Sequence, residues 1–166
     1  MGKSHPDLYK AFCWRFWKLD KDGGFTGVVL PRGTFSGDIS EEFRLELLKS
    51  GDVIDLTFLV NNKHWVFQDV HPQYTIGLLS FSKRKDPDRT LPVRGPCTSP
   101  ESYEREMNRP PHVFDSDEAI GWTGNAALPI LPATPEATEV FDQIVGPTER
   151  LDNKGEWEAY PTTELN

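Results

Sequence analysis

The run GGFTGVVLPRGTFSGDISEEFRLELLKSGDVIDLTFLV, Gly23 to Val60, limits the possible folds more than any other stretch of the chain. FTGVVL, Phe25 to Leu30, is a short β-rich run, and Pro31 can follow it only if the strand ends there, because proline donates nothing to a ladder. A bend with two glycines leads to Asp38, which with Glu41 fits a capping box. The helix so started buries Ile39, Phe43, Leu47 and Leu48 and stops at Gly51. DVIDLTFLVNN is then apolar almost without interruption, as in a strand buried on both faces. Strand, helix and buried strand in that order belong to an α/β sheet with helices on both sides.

The flanks extend the pattern. SHPDLYKAFCWRFWKLDKDGG places Leu8, Tyr9, Phe12, Cys13, Phe16 and Leu19 at helical spacing between Pro6 and the Gly23-Gly24 stop, which predicts a helix over about residues 6–20. After the buried strand, HWVFQ and YTIGLLSFS read as two more strands joined by a DVHPQ turn. Helix, strand, helix, strand and closing hairpin are expected to form the trailing half of an α/β sheet whose strands are covered on both faces. Eleven of the fourteen prolines lie from Pro87 onward, which sets a boundary near Asp86. Residues 1–85 are thus expected to be a partial α/β domain, 86–125 a Pro-rich irregular loop or linker, and 126–166 a further segment with a short helix from about Glu136 to Val145.

Charge and composition exclude several classes of function. A net charge of -8 argues against tight nucleic-acid binding by electrostatics alone, since phosphate contact needs clustered Lys and Arg. The basic cluster SKRKDPDR, Ser82 to Arg89, reads as a solvated turn after a strand. Cys13 and Cys97 lie far apart without ligand spacing, which points to a reducing compartment. No run approaches ~18 apolar residues and the first residues lack the apolar core of a signal peptide, so a cytoplasmic protein with no membrane partner is expected.

Most familiar motifs fail on inspection. RGTFSGDIS lacks the Lys and the glycine spacing of a P-loop, Gly33 and Gly37 do not make G-x-G-x-x-G, and Ser36 stands directly before the glycine where G-x-S-x-G would separate them. The bend therefore reads as a structural corner. LDKDGGFT starts like a calcium loop but puts Gly24 at position 5, Phe25 at position 6 and Pro31 at position 12. His5, His64, His71 and His112 have neither i,i+4 pairing nor a Cys partner, which leaves no zinc pattern and no metal site.

VFQDVHPQYTIGLLSF is more informative. An imidazole beside a proline, held on a turn between two apolar strands, makes a rigid platform at a sheet rim that could stack a flat ligand such as a base. A plain hairpin turn that His71 merely caps fits the same residues, and composition leaves both readings open.

Taken together, GGFTGVVLPRGTF, EEFRLELLKSGDVIDLTFLVN and FQDVHPQYTIGLLSFSK resemble the latter half of the catalytic domain of adenine-N6 DNA methyltransferases, above all those of type IIG restriction-modification enzymes and BREX-type phage-defence methylases. The resemblance spans about residues 8–84, and the stretches from ALPILPATPEATEVFDQI to EWEAYPTTELN loosely resemble the segment leading toward a target-recognition region. In that family the G-G-x-x-x-x-V-x-P segment is the strand after the catalytic motif, and F-x-x-V-x-P carries a side chain that stacks on the extruded adenine. The resemblance implies the trailing half of a Rossmann-like S-adenosylmethionine-dependent methyltransferase sheet, target-base stacking by His71, with Phe67 as the nearby alternative, and a site rim shaped by Pro31 and Pro72.

One departure bears directly on chemistry. The family binds S-adenosylmethionine through a D-P-x-x-G-x-G type loop and holds the adenine amine with N-P-P-Y, and neither motif is in this sequence. MNRPPHVF has Asn108, Pro110 and Pro111, but Arg109 interrupts it. The resemblance therefore implies a part of a site-specific adenine-N6 methyltransferase that has no catalytic residue or cofactor site of its own and is inactive alone. S-adenosylmethionine and DNA would be met only in the intact enzyme, with a complementary methyltransferase segment as partner. The competing expectation is a non-catalytic protein-interaction or DNA-binding module that uses exposed aromatics such as Trp65 and Trp122.

Overall fold

A computed structural model describes residues 7–37, 40–84, 88–123 and 126–128, together with the helical residues 137, 140, 143 and 144. The elements run α1 (Leu8–Leu19), β1 (Thr26–Pro31), the single turn α2 (Gly33–Ser36), α3 (Glu41–Ser50), β2 (Asp52–Val60), a 3-10 turn (Asn62–His64), β3 (Thr75–Ser82), β4 (Thr90–Cys97), α4 (Pro100–Met107), β5 (His112–Asp115) and α5 (Ser116–Gly121). The strands form one five-stranded sheet in the order β1-β3-β2-β4-β5. Only β2 and β4 are parallel; the other three pairs are antiparallel. The α/β class predicted from the sequence is the observed one.

The central strand shows why its sequence is so apolar. Leu56 and Phe58 enter a core with Phe35, Phe43, Leu47, Leu79, Phe81 and Leu91, while Leu59 packs on the other face with Ile76 and Cys97, against Trp65 and Tyr103. A strand covered on both faces has no solvent side, so alternation disappears. α1 and α3 close the larger core through edge-to-face and tilted ring contacts: Trp14 on Phe43 at 5.8 Å, Trp17 on Phe81 at 5.8 Å, and Phe43 on Phe81 at 6.5 Å. Gly77 of β3 is needed beneath this layer, because a Cβ there would lie 2.2 Å from the Phe35 ring.

Several boundaries differ from expectation. α3 starts at Glu41 with Ser40 at the N-cap, not at Asp38, and Asp38 and Ile39 lie outside the described residues. Phe43, Leu47 and Leu48 are buried and Gly51 ends the helix, as the sequence suggested. HWVFQ is not a strand. Asn61, fully buried, accepts from the N–H groups of Val66 and Phe67 and donates to the carbonyls of Phe67 and Val70, so the segment's backbone polarity is met by one side chain and not by a ladder.

The largest correction concerns residues 86–125. The expected Pro-rich loop contains β4, α4, β5 and α5, and Leu91, Val93 and Cys97 are buried. Pro96 falls where the β2–β4 register shifts between Thr57 and Leu59, a position that needs no donor. Gly95 beside it has φ 88°, and a Cβ there would meet the Phe58 carbonyl at 2.4 Å. Arg94 adds an ion pair to Asp55 (2.9 Å) and bonds to the Glu106 and Arg109 carbonyls, which ties α4 to the sheet. Of the helix expected from Glu136, the described residues Ala137, Val140, Gln143 and Ile144 are helical. Among the described residues no helix is long and apolar enough to cross a membrane.

Candidate functional site

Pro31 ends β1 opposite Ile76, the second residue of β3, while the loop carrying Phe67, His71 and Pro72 links the end of β2 to the start of β3. All four predicted site residues therefore lie at one rim of the sheet. The rim is preorganised by the Asn61 hub. His64 Nδ1 approaches the Val70 carbonyl at 3.0 Å, and the Trp65 indole N–H donates to the Val60 carbonyl at 2.7 Å. Lys63 and His64 adopt left-handed φ of 55° and 60°, so His64, expected in a strand, sits in the tight turn.

His71 opens the turn His71-Pro72-Gln73-Tyr74. Its carbonyl accepts from the Tyr74 N–H (3.0 Å) and its Nδ1 accepts from the Gln73 N–H (3.2 Å), with Pro72 at the position where its fixed φ favours the bend. The side chain thus both caps its turn and projects outward. The Tyr74 ring meets it edge to face, at 6.1 Å and 83°, and His71, Gln73 and Tyr74 line an open depression of about 440 Å³. Phe67 is 42% exposed and Tyr74 59%, a large apolar area for side chains on so well bonded a loop. Tyr74 was hidden in the sequence because YTIGLLSFS reads as uninterrupted strand; β3 begins one residue later.

The bend after Pro31 is built differently. Buried Arg44 donates to the carbonyls of Thr34 (2.9 Å), Gly37 (2.8 Å) and Ala126 (2.8 Å), and Tyr9 Oη would lie 2.9 Å from a Cβ on Gly33. An anion or cofactor cradle presents N–H groups to open space, whereas this bend turns carbonyls toward a guanidinium and is closed by a phenol. The bend from Pro31 to Gly37 does not have the form of such a cradle and is a corner. Asn108 ends α4 and donates to the Glu104 carbonyl, so MNRPPHVF is a helix terminus leading into β5. Among the described residues no cluster of His, Cys, Asp and Glu could hold a metal. Trp65 and Trp122 are half-buried, packed on Tyr103 and Phe114 respectively, and do not form the exposed aromatic surface expected of them.

No protein-family model matches the chain, and no curated protein is significantly similar to it in sequence. Solved structures do share its fold. The modification subunit assigned to a type I restriction enzyme of Vibrio vulnificus YJ016 superposes with a TM-score of 0.52 at 20% identity, over 81% of this chain and 33% of that one. The methyltransferase subunit of the type I restriction-modification system from Streptococcus thermophilus gives 0.55 at 19% identity, over 78% and 30%. The chain thus spans about a third of the length of these solved relatives. At such identities the likeness shows the fold alone: the α/β sheet of this chain is similar to one part of each of those subunits.

Proposed function

We propose that this chain is the trailing part of the catalytic domain of a site-specific adenine-N6 DNA methyltransferase from a restriction-modification or phage-defence system, and that it acts by completing a second polypeptide. The observation that supports this best is the rim. The side chains that the type IIG and BREX-type resemblance assigns to base stacking, His71 and Phe67, stand exposed on a loop fixed by a buried Asn, in a sheet whose solved relatives are modification subunits.

The chemistry divides between the two polypeptides. The adenine amine is a poor nucleophile because its lone pair is conjugated into the ring, and an Asn side chain and a Pro carbonyl must polarise it; those groups belong to the partner. When bound in the intact enzyme, S-adenosylmethionine supplies the methyl group. This chain contributes the wall against which the extruded base is held, a flat apolar surface at His71 and Phe67 set by the Pro72 turn. The Asn61 hub fixes that wall before the base arrives.

Calorimetry and labelled-methyl transfer test the proposal. The chain alone should bind no S-adenosylmethionine at micromolar concentration and label no DNA, while the pair formed with a polypeptide carrying N-P-P-Y should bind one equivalent and label duplex DNA on adenine. One-to-one cofactor binding by the chain alone would overturn it.

A further inference from the structure

We infer that Arg32 and Lys63 hold the DNA phosphates on either side of the extruded nucleotide and so set where its base meets His71; this rests on the methyltransferase reading. The sheet register places the two cations. β3 lies between β1 and β2. At its start Thr75 O accepts from the Arg32 N–H (3.1 Å), one residue beyond β1, and Tyr74 O accepts from the Asn61 N–H (3.0 Å), one residue beyond β2. Lys63 follows two residues after Asn61, in the 3-10 turn. The turn from His71 to Tyr74 therefore has the Arg32 bend on one flank and the Lys63 turn on the other. Neighbouring strands lie ~4.8 Å apart, so the ends of β1 and β2 stand about 10 Å apart across β3. That is about three nucleotide steps at ~3.4 Å of rise per strand, enough for one phosphate on each side of a target nucleotide.

Both backbones are fixed while both side chains are free. The Arg32 carbonyl accepts from the Phe35 and Ser36 N–H groups at 2.9 and 3.1 Å. Lys63 and His64 are held at left-handed φ by the bond from the His64 N–H to Asn61 O (2.9 Å). That φ suits glycine or asparagine better than lysine, so the turn itself does not account for Lys63. Arg32 and Lys63 are exposed, and among the described residues neither charged head has an ion-pair or hydrogen-bond partner. Arg44, Arg89 and Arg94, by contrast, are engaged by carbonyls and carboxylates of the fold. Residues 31–37 contain no acid and residues 61–75 only Asp69, so the flanks of the platform favour an anion. Two cations do not offset a net charge of -8, but phosphate contacts fix a duplex in register without reading its sequence.

The test co-purifies the full chain with the product of the adjoining reading frame that carries N-P-P-Y, then measures duplex affinity across a salt series together with methyl transfer. Arg32→Gln and Lys63→Gln should each weaken duplexes with and without the methylated sequence alike, about five- to ten-fold at ~0.1 M salt, and lower the slope of log affinity against log salt by ~0.9. Arg32→Lys should restore the slope, which a merely structural role would not do. Lys21→Gln makes the same change of charge before β1, at the other end of the sheet, and should leave the slope as it was. An active pair whose slope ignores Arg32→Gln and Lys63→Gln, or falls as far with Lys21→Gln, overturns the phosphate contacts and leaves the function standing. Slopes that fall as stated in a pair that methylates no DNA keep the contacts and remove the function. A pair that binds no DNA, or no such reading frame, removes both.

Discussion

His71, Phe67 and Tyr74 differ in what holds them, and their substitutions should differ accordingly. Stacking on one aromatic side chain contributes ~1 to 3 kcal/mol, so in the complemented enzyme His71→Ala should lower methylation by about ten- to a hundred-fold at ~1.4 kcal/mol per decade. His71→Phe should retain most of the rate, because the role needs a flat ring and no proton transfer. Tyr74→Ala removes the edge-to-face neighbour and should cost less, ~0.5 to 1.5 kcal/mol. Initial rates with labelled cofactor check all three; harmless His71→Ala with inactive Phe67→Ala would move the platform to Phe67. Asn61 is a different case, because its side chain satisfies four backbone contacts inside the loop. Asn61→Ala should destabilise the fold by ~2 to 4 kcal/mol, since unmet buried groups cost ~1 to 3 kcal/mol each, and a urea midpoint measures it. The thiols should be inert: burial pushes Cys13 and Cys97 up to about 11, with Glu106 adding to the rise at Cys97. At pH 8 only about one thiol in a thousand is then thiolate, so native alkylation should be far slower than in urea and should accelerate as the pH approaches 11.

Legibility in the sequence varied with how many faces an element buries and who satisfies its backbone. β2 was plain because both faces are buried, and α3 because Phe43, Leu47 and Leu48 mark one face. α1 was located correctly, but half of its apolar positions point outward: Cys13 and Trp17 are buried while Leu8, Phe12 and Leu19 are not. Periodicity detects an apolar row without saying what covers it. Of the rim, His71 beside Pro72 stood out by type and Phe67 and Pro31 only through the family resemblance, while the Asn61 hub and Tyr74 depend on tertiary bonding that no local pattern carries. β4 was missed because its prolines outweigh Leu91, Val93 and Cys97 in composition, and the tolerance of Pro96 depends on a shift in the β2–β4 register. Hydrogen exchange should therefore show the Leu91 and Val93 amides protected within about ten-fold of those in β2, whereas a Pro-rich loop would exchange orders of magnitude faster.

At the scale of the molecule, this chain matches in fold about a third of the length of the two solved subunits it is similar to. Its net charge of -8 gives little attraction for DNA, so under the proposed function that attraction falls to the second polypeptide. That division of labour is the central claim, and nucleoside mass spectrometry of plasmid DNA tests it most directly. Cells lacking their own adenine methylase would make this chain, the N-P-P-Y polypeptide, or both. The account predicts N6-methyladenine at one recurrent sequence only when both are made, reduced about ten- to a hundred-fold by His71→Ala. Equal N6-methyladenine from the N-P-P-Y polypeptide without this chain would contradict it.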